Sequence, residues 1–341
     1  MLNGQKVPAS LEDKSWGRRE WLLGVAAGVS LLSLFIAVSI SEVGKLKGAL
    51  WPAAPAFLLW TALALILSYI LRAWRLAVVM DARLSLGIAQ VAFLHNLLNA
   101  LLPIKLGELS LPLLIRRYQG DGLAKGLGVL IVIRALDVLG LLGWASILLL
   151  AQGHPGTNFA RWLGFAGLMV TVGVLTILIG VGHYFRQRPA VDATLARWPK
   201  IQQIWRDLGA GLAGLSSARL GRAVLLSLLI WILITAAFHT AALAFGVAAP
   251  FMTTTLATAS ATLAFMLPIN GLASLGPPQL AWAGVLAALG EGWESSLVAA
   301  TVTQLIALIV MGFLVAPYQL ISARTTAQLS QSGLIQDRNR G

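Results

Sequence analysis

The chain has 341 residues, 58% hydrophobic and 11% charged, with a mean hydropathy of +0.81, which excludes a soluble enzyme and describes a polytopic membrane protein. The absence of cysteine excludes a disulfide scaffold, thiolate metal ligation and a cysteine nucleophile. The formal net charge of +12 has to be read from where the basic residues fall, because Lys and Arg gather on the cytoplasmic side of membrane proteins.

The first apolar run, 21–40, follows a basic stretch. Its apolar region is too long for a secretory signal and Ala37-Val38-Ser39 is a poor cleavage site, so it reads as a retained anchor. Runs of roughly twenty residues, the length that crosses ~30 Å of hydrocarbon, follow at 51–71, 126–151, 162–185, 223–248 and 296–321; only the run at 126–151 holds charges. Trp21, Trp51, Trp162 and Trp293 stand at span ends, where the amphipathic indole prefers the headgroup level. Two further apolar segments are broken in the middle: 84–115 by Pro103, Lys105 and Gly107, and 250–289 by Pro268, Gly271, Gly276, Pro277 and Pro278. Neither reads as one straight helix.

The basic residues decide how these segments run. If the first crossed fully, Arg116, Arg117 and Lys125 would be external, whereas a re-entrant hairpin keeps them cytoplasmic. With a second hairpin entering from outside, 20 Lys/Arg lie inside, in 1–20, 72–83, 116–125, 186–222 and 322–341. Three lie outside: Lys45, Lys47 and Arg161. Both termini are then cytoplasmic, and the positive charge faces anionic lipid headgroups rather than nucleic acid.

The two broken segments align as Leu102-Pro103-Ile104 with Leu267-Pro268-Ile269, an offset of 165, and the order span, hairpin, span recurs in both halves. The expected architecture is therefore all-α: six full spans plus two re-entrant hairpins, in inverted repeats at about 51–151 and 223–321. A single transmembrane domain, 21–321, lies between cytoplasmic tails 1–20 and 322–341. Paired interrupted segments in inverted halves point to a transporter's midplane site.

Ionisable groups at a helix centre cost on the order of 2.5–3.5 kcal/mol, so they are kept for pairing or function. Four are expected at membrane depth: Lys105, Glu108, Arg134 and Asp137, as two pairs spaced i, i+3. These read either as structural ion pairs or as part of a substrate site. Around the first break the candidates are His95 and Asn99, in a polar stripe with Asn96, and Gly107, whose backbone can open toward an anion. Around the second they are Asn270, Gly276 and Gln279, in a stretch whose backbone dipoles are exposed at depth. His239, mid-span, reads as a packing residue.

Arg72-Ala-Trp-Arg75, then Asn99-x3-Pro103-x-Lys105-x-Gly107-Glu108, Arg116-Arg117 and Arg134-x2-Asp137 resemble the flippase-like transmembrane family of lysylphosphatidylglycerol synthases, whose stand-alone members include hopanoid-associated ones. The resemblance covers roughly 20–322 and implies flipping of a lipid headgroup between leaflets of a bacterial inner membrane. Two positions depart from the family pattern: Leu111-Pro112 where a basic residue usually follows Gly-Glu, and Gln279 where a Glu usually follows the second Gly-rich turn. No aminoacyl-transferase domain follows Ile321, so lipid synthesis is not expected.

The function expected is thus a non-enzymatic lipid translocase without cofactor or metal, handling a polar, phosphate-bearing headgroup. The alternative is a non-catalytic accessory membrane subunit of a lipid or glycolipid pathway, such as hopanoid synthesis. A third is an intramembrane enzyme using a Ser274/His239 dyad, although no zinc-protease, prenyl-diphosphate or aspartyl-protease pattern is present, nor a phosphate-binding loop for ATP.

Overall fold

The computed structural model describes residues 54–102, 105–151, 158–187, 198–213, 216–267 and 272–331. The chain divides into two compact units, Met1–Gly48 and Ala49–Gly341. The first, with the expected span 21–40, lies outside the described residues. Among its described residues the second contains ten α-helices and no strand. In chain order they are α1 (Pro55–Val79), α2 (Leu86–Leu101), α3 (Ser110–Gln119), α4 (Leu123–Ala151), α5 (Asn158–Gln187), α6 (Pro199–Ala213), α7 (Ser217–Ala244), α8 (Phe251–Met266), α9 (Pro277–Ala288) and α10 (Trp293–Gln331).

Five of these are long and apolar enough to cross a membrane: Pro55–Val79, Leu123–Ala151, Arg161–Phe185, Ser217–Ala244 and Trp293–Ala316. They match the expected runs except at the ends. The run expected at 51–71 continues as helix to Val79, because Arg72 and Arg75 are good helix formers and find partners inside the bundle. They are therefore not loop charges, and the basic split becomes 18 to three. Residues 322–331, expected as tail, continue α10. Within 186–222, expected as a loop, α6 forms a short helix packed on α4 and α5. Outward-facing Leu163, Phe165, Met169 and Ile177 leave α5 with a broad apolar surface, as lipid contact requires.

Each broken segment folds as two short helices around a break. The helices before the break, α2 and α8, are both 16 residues long and offset by 165. Each ends on an extended residue, Leu102 (ψ 133°) and Leu267 (ψ 144°), since the ring of the following proline disfavours the helical region one residue earlier. Short 3-10 turns follow at Leu106–Leu109 and Leu272–Ser274, before α3 and α9 return. In the first hairpin His95 Nδ1 lies 2.9 Å from Ser110 Oγ. In the second Ser260, 165 positions on from His95, donates to the Ala281 carbonyl at 3.1 Å.

The first helices of the two halves lie side by side. Thr61 meets Thr240 at 2.9 Å and Arg75 meets Ser227 at 2.9 Å, so α1 and α7 run antiparallel. The hairpins that follow them therefore start from opposite ends of the bundle. Their breaks meet inside it, where Ser274 Oγ donates to the Ala100 carbonyl at 2.9 Å.

Candidate functional site

The first break is shaped by backbone contact. Gly107 packs so tightly on α2 that a Cβ there would collide with the main chain of Leu98 and Asn99. Lys105 enters the turn in the left-handed region at φ 60°, costly for a residue with a side chain and characteristic of functional turns. Together they aim Glu108 at α4 and Lys105 at the other hairpin.

Arg134 on α4 joins the two carboxylates. Its Nε donates to Glu108 Oε2 at 2.8 Å, a second bond runs from Nη2 to the same oxygen, and its Nη1 donates to Asp137 Oδ2 at 2.8 Å. Asp137, 3% exposed, also forms an ion pair with Arg75 at 2.8 Å. Arg75, 2% exposed, donates to Ser227 Oγ on α7. The expected Arg134–Asp137 pair is present, but Glu108 pairs with Arg134 and not with Lys105. The left-handed turn directs Lys105 away, and its Nζ stands 3.3 Å from the centroid of the Phe265 ring on α8. Counting Arg72, which donates to Asn96 Oδ1 at 3.4 Å, four cations surround two carboxylates among the described residues.

The second break is neutral. Gln279 Oε1 accepts from the Gly276 amide at 2.8 Å and its Nε2 donates to the Ser274 carbonyl at 3.3 Å. Gln304 on α10 donates to the Ala273 carbonyl at 2.9 Å. Gln304 lies 170 positions after Arg134 and Ala273 lies 165 after Glu108, so this contact is the repeat's counterpart of the Arg134–Glu108 pair. The backbone dipoles expected to face a ligand here are in part taken up by the two glutamines.

Of the expected site residues, Lys105, Gly107, Glu108, Arg134, Asp137 and His95 gather at the first break and α4. Asn99 is buried beneath Gly107, with its Oδ1 unpartnered among the described residues. Gly276 and Gln279 shape the second turn, and Asn270 lies outside the described residues. Ser274 and His239 form no dyad: the serine bonds Ala100 and the histidine meets Thr254 at 3.2 Å. Sequence reasoning placed Arg72 and Arg75 in a cytoplasmic segment and not at the site, and it missed Phe265 and Gln304. The signal for the arginines was the helical spacing Ser68-x3-Arg72-x2-Arg75, which continues one face of α1 past Leu71, the end of the expected run.

No curated protein and no solved structure matches the chain. A family model, described as the lysylphosphatidylglycerol synthase TM region, matches residues 21–314, which takes in α1 to α9 and most of α10. The chain is therefore a multi-pass membrane protein of a lipid-related family, and it belongs to the lysylphosphatidylglycerol synthase TM family.

Proposed function

We propose that this protein is a lipid translocase, moving a polar, phosphate-bearing headgroup between leaflets while the acyl chains stay in the bilayer. The observation that carries the reading is the meeting of two helix–break–helix elements, inserted from opposite ends, beside a centre with four cations and two carboxylates. Four cations, one buried and three half-buried, against two carboxylates leave an excess of positive charge in an apolar bundle, which fits a substrate that brings a phosphate. The hairpins act as re-entrant elements from the two sides of a bacterial plasma membrane, with both termini cytoplasmic. The chain performs no covalent chemistry, needs no cofactor and meets anionic headgroups at its cytoplasmic face. Arg134, held by both Glu108 and Asp137, is the group able to release one carboxylate and keep the other as a headgroup passes.

The test is reconstitution in liposomes with a panel of labelled lipids, scored for leaflet exchange. The expected result is exchange above that of protein-free liposomes, abolished by Glu108→Gln. Exchange no faster than in empty liposomes for every lipid of the panel would overturn the reading.

A further inference from the structure

The two carboxylates of the charged centre are held in different ways. Asp137 is 3% exposed and both its oxygens are answered, Oδ1 by Arg75 and Oδ2 by Arg134, each at 2.8 Å. A proton on Asp137 would leave Arg75, itself 2% exposed, without a counter-charge. Glu108 answers one cation only. Both of its bonds from Arg134 fall on Oε2, Oε1 accepts none among the described residues, and the side chain is 21% exposed. Two carboxylates whose surroundings differ in this way take different roles, one kept ionised and one free to hold a proton.

Arg134 is the point at which an anion competes. The fork formed by its Nε and Nη2 suits a phosphate as well as a carboxylate, and Glu108 occupies that fork. A phosphate that takes it leaves Arg134 bonded to Asp137 through Nη1. The displaced Glu108 then stands without a cation beside a new anion in an apolar bundle, where a carboxylate neutralises rather than stays charged. The other groups around it do not stand in for Arg134 or for the proton. Lys105, in its own turn, is directed onto the Phe265 ring. On α1, Arg75 is engaged by Asp137 and Ser227, and Arg72 by Asn96. On α2, His95 is 6% exposed and its Nδ1 is spent on Ser110 of α3. The free oxygen of Glu108 is what remains.

The charge count agrees. Empty, the centre sets four cations against two carboxylates, a net charge of +2. A singly charged phosphodiester lowers that to +1 if Glu108 stays ionised and leaves it at +2 if Glu108 is protonated. Loading then adds an anion and a proton together and carries no net charge.

We propose that this protein is a proton-coupled symporter of an anionic lipid. Glu108 gives up Arg134 to the phosphate, takes one proton from water, and returns that proton to water on the far side when the headgroup leaves and Arg134 comes back. Asp137 stays ionised throughout. The assignment rests on the translocase reading and adds its driving force: a pH difference acts on the cycle and a membrane potential does not.

The experiment uses the full chain in liposomes with a trace of NBD-labelled phosphatidylglycerol, its leaflet content read by dithionite quenching against protein-free liposomes. With the potential clamped at zero, a difference of one pH unit should enrich the label in the leaflet facing the alkaline side, up to a limit of about tenfold for one proton per lipid. A potential alone should enrich neither leaflet. Exchange that is blind to the pH difference, or enrichment driven by the potential alone, overturns the coupling and leaves the translocase reading standing. No exchange above the protein-free level overturns both. In detergent, binding of dihexanoyl phosphatidylglycerol, followed with a pH indicator in weak buffer, should take up about one proton per chain in the unaltered protein and in Glu294→Gln, an exposed position, and none in Glu108→Gln. No uptake by the unaltered protein, or uptake that persists in Glu108→Gln, overturns the proposal. If Glu108→Gln does not fold, the two gradients decide.

Discussion

Asp137 is the side chain on which most of the buried charge depends. It is almost fully enclosed and answers Arg75 from one side and Arg134 from the other. Asp137→Asn leaves Arg75 as an uncompensated buried cation, at a cost of roughly 3–5 kcal/mol. The expected outcome is a large fall in Tm and in yield after detergent extraction; an unchanged melting curve would mean that Arg75 has another counter-charge. Glu108→Gln should behave differently. Its side chain is 21% exposed and Arg134 retains Asp137, so the fold survives while leaflet exchange is lost. Arg134→Ala strands Glu108 and not Asp137, because Arg75 still answers Asp137.

At the scale of elements, the first hairpin closes only because Gly107 has no side chain. Gly107→Ala puts a methyl group into the main chain of α2, which cannot yield as a side-chain end does, and should cost about 1–3 kcal/mol and open the break. Gly276 presents the opposite case: nothing crowds it, but at φ +112° a side chain is strained by its own backbone. Gly276→Ala should therefore be destabilising without separating α8 from α9. A proteolysis assay near each break separates the two mechanisms, with cleavage expected in Gly107→Ala alone. The antiparallel α1–α7 pairing is open to a direct check, since the chain has no cysteine of its own. Thr61→Cys with Thr240→Cys should oxidise to a disulfide, the two hydroxyls being 2.9 Å apart. Thr61→Cys with Ser227→Cys, at opposite ends of the pair, should not; the reverse result would require parallel helices.

For the molecule as a whole, the inverted halves place the return of α3 and the start of α10 at opposite ends of the bundle. Single cysteines at Arg117 and Glu294, both exposed, should then label from opposite sides of an intact membrane with an impermeant reagent, Glu294→Cys from outside. Labelling of both from one side would remove the inverted arrangement. The same geometry accounts for how the charge is divided. One break carries Arg134 on Glu108 and the other Gln304 on a carbonyl, so only one half bears the desolvation cost of ions.

Five of the spans and both breaks were legible in the sequence because each is a local property. Apolar length fixes a spanning helix, a proline ends one, and an offset of 165 separates the two Leu-Pro-Ile motifs. The four charges on the hairpin and α4 were visible for the same reason, since an ion in an apolar run stands out. Only the tertiary structure decided which charge meets which. The i, i+3 spacing offered Lys105 to Glu108, but a left-handed turn sent the lysine across to Phe265 and gave the glutamate to Arg134. Arg75 reached Asp137 from a helix 62 positions earlier in the chain, a partnership no local pattern encodes, because it exists only once α1 packs on α4 and α7.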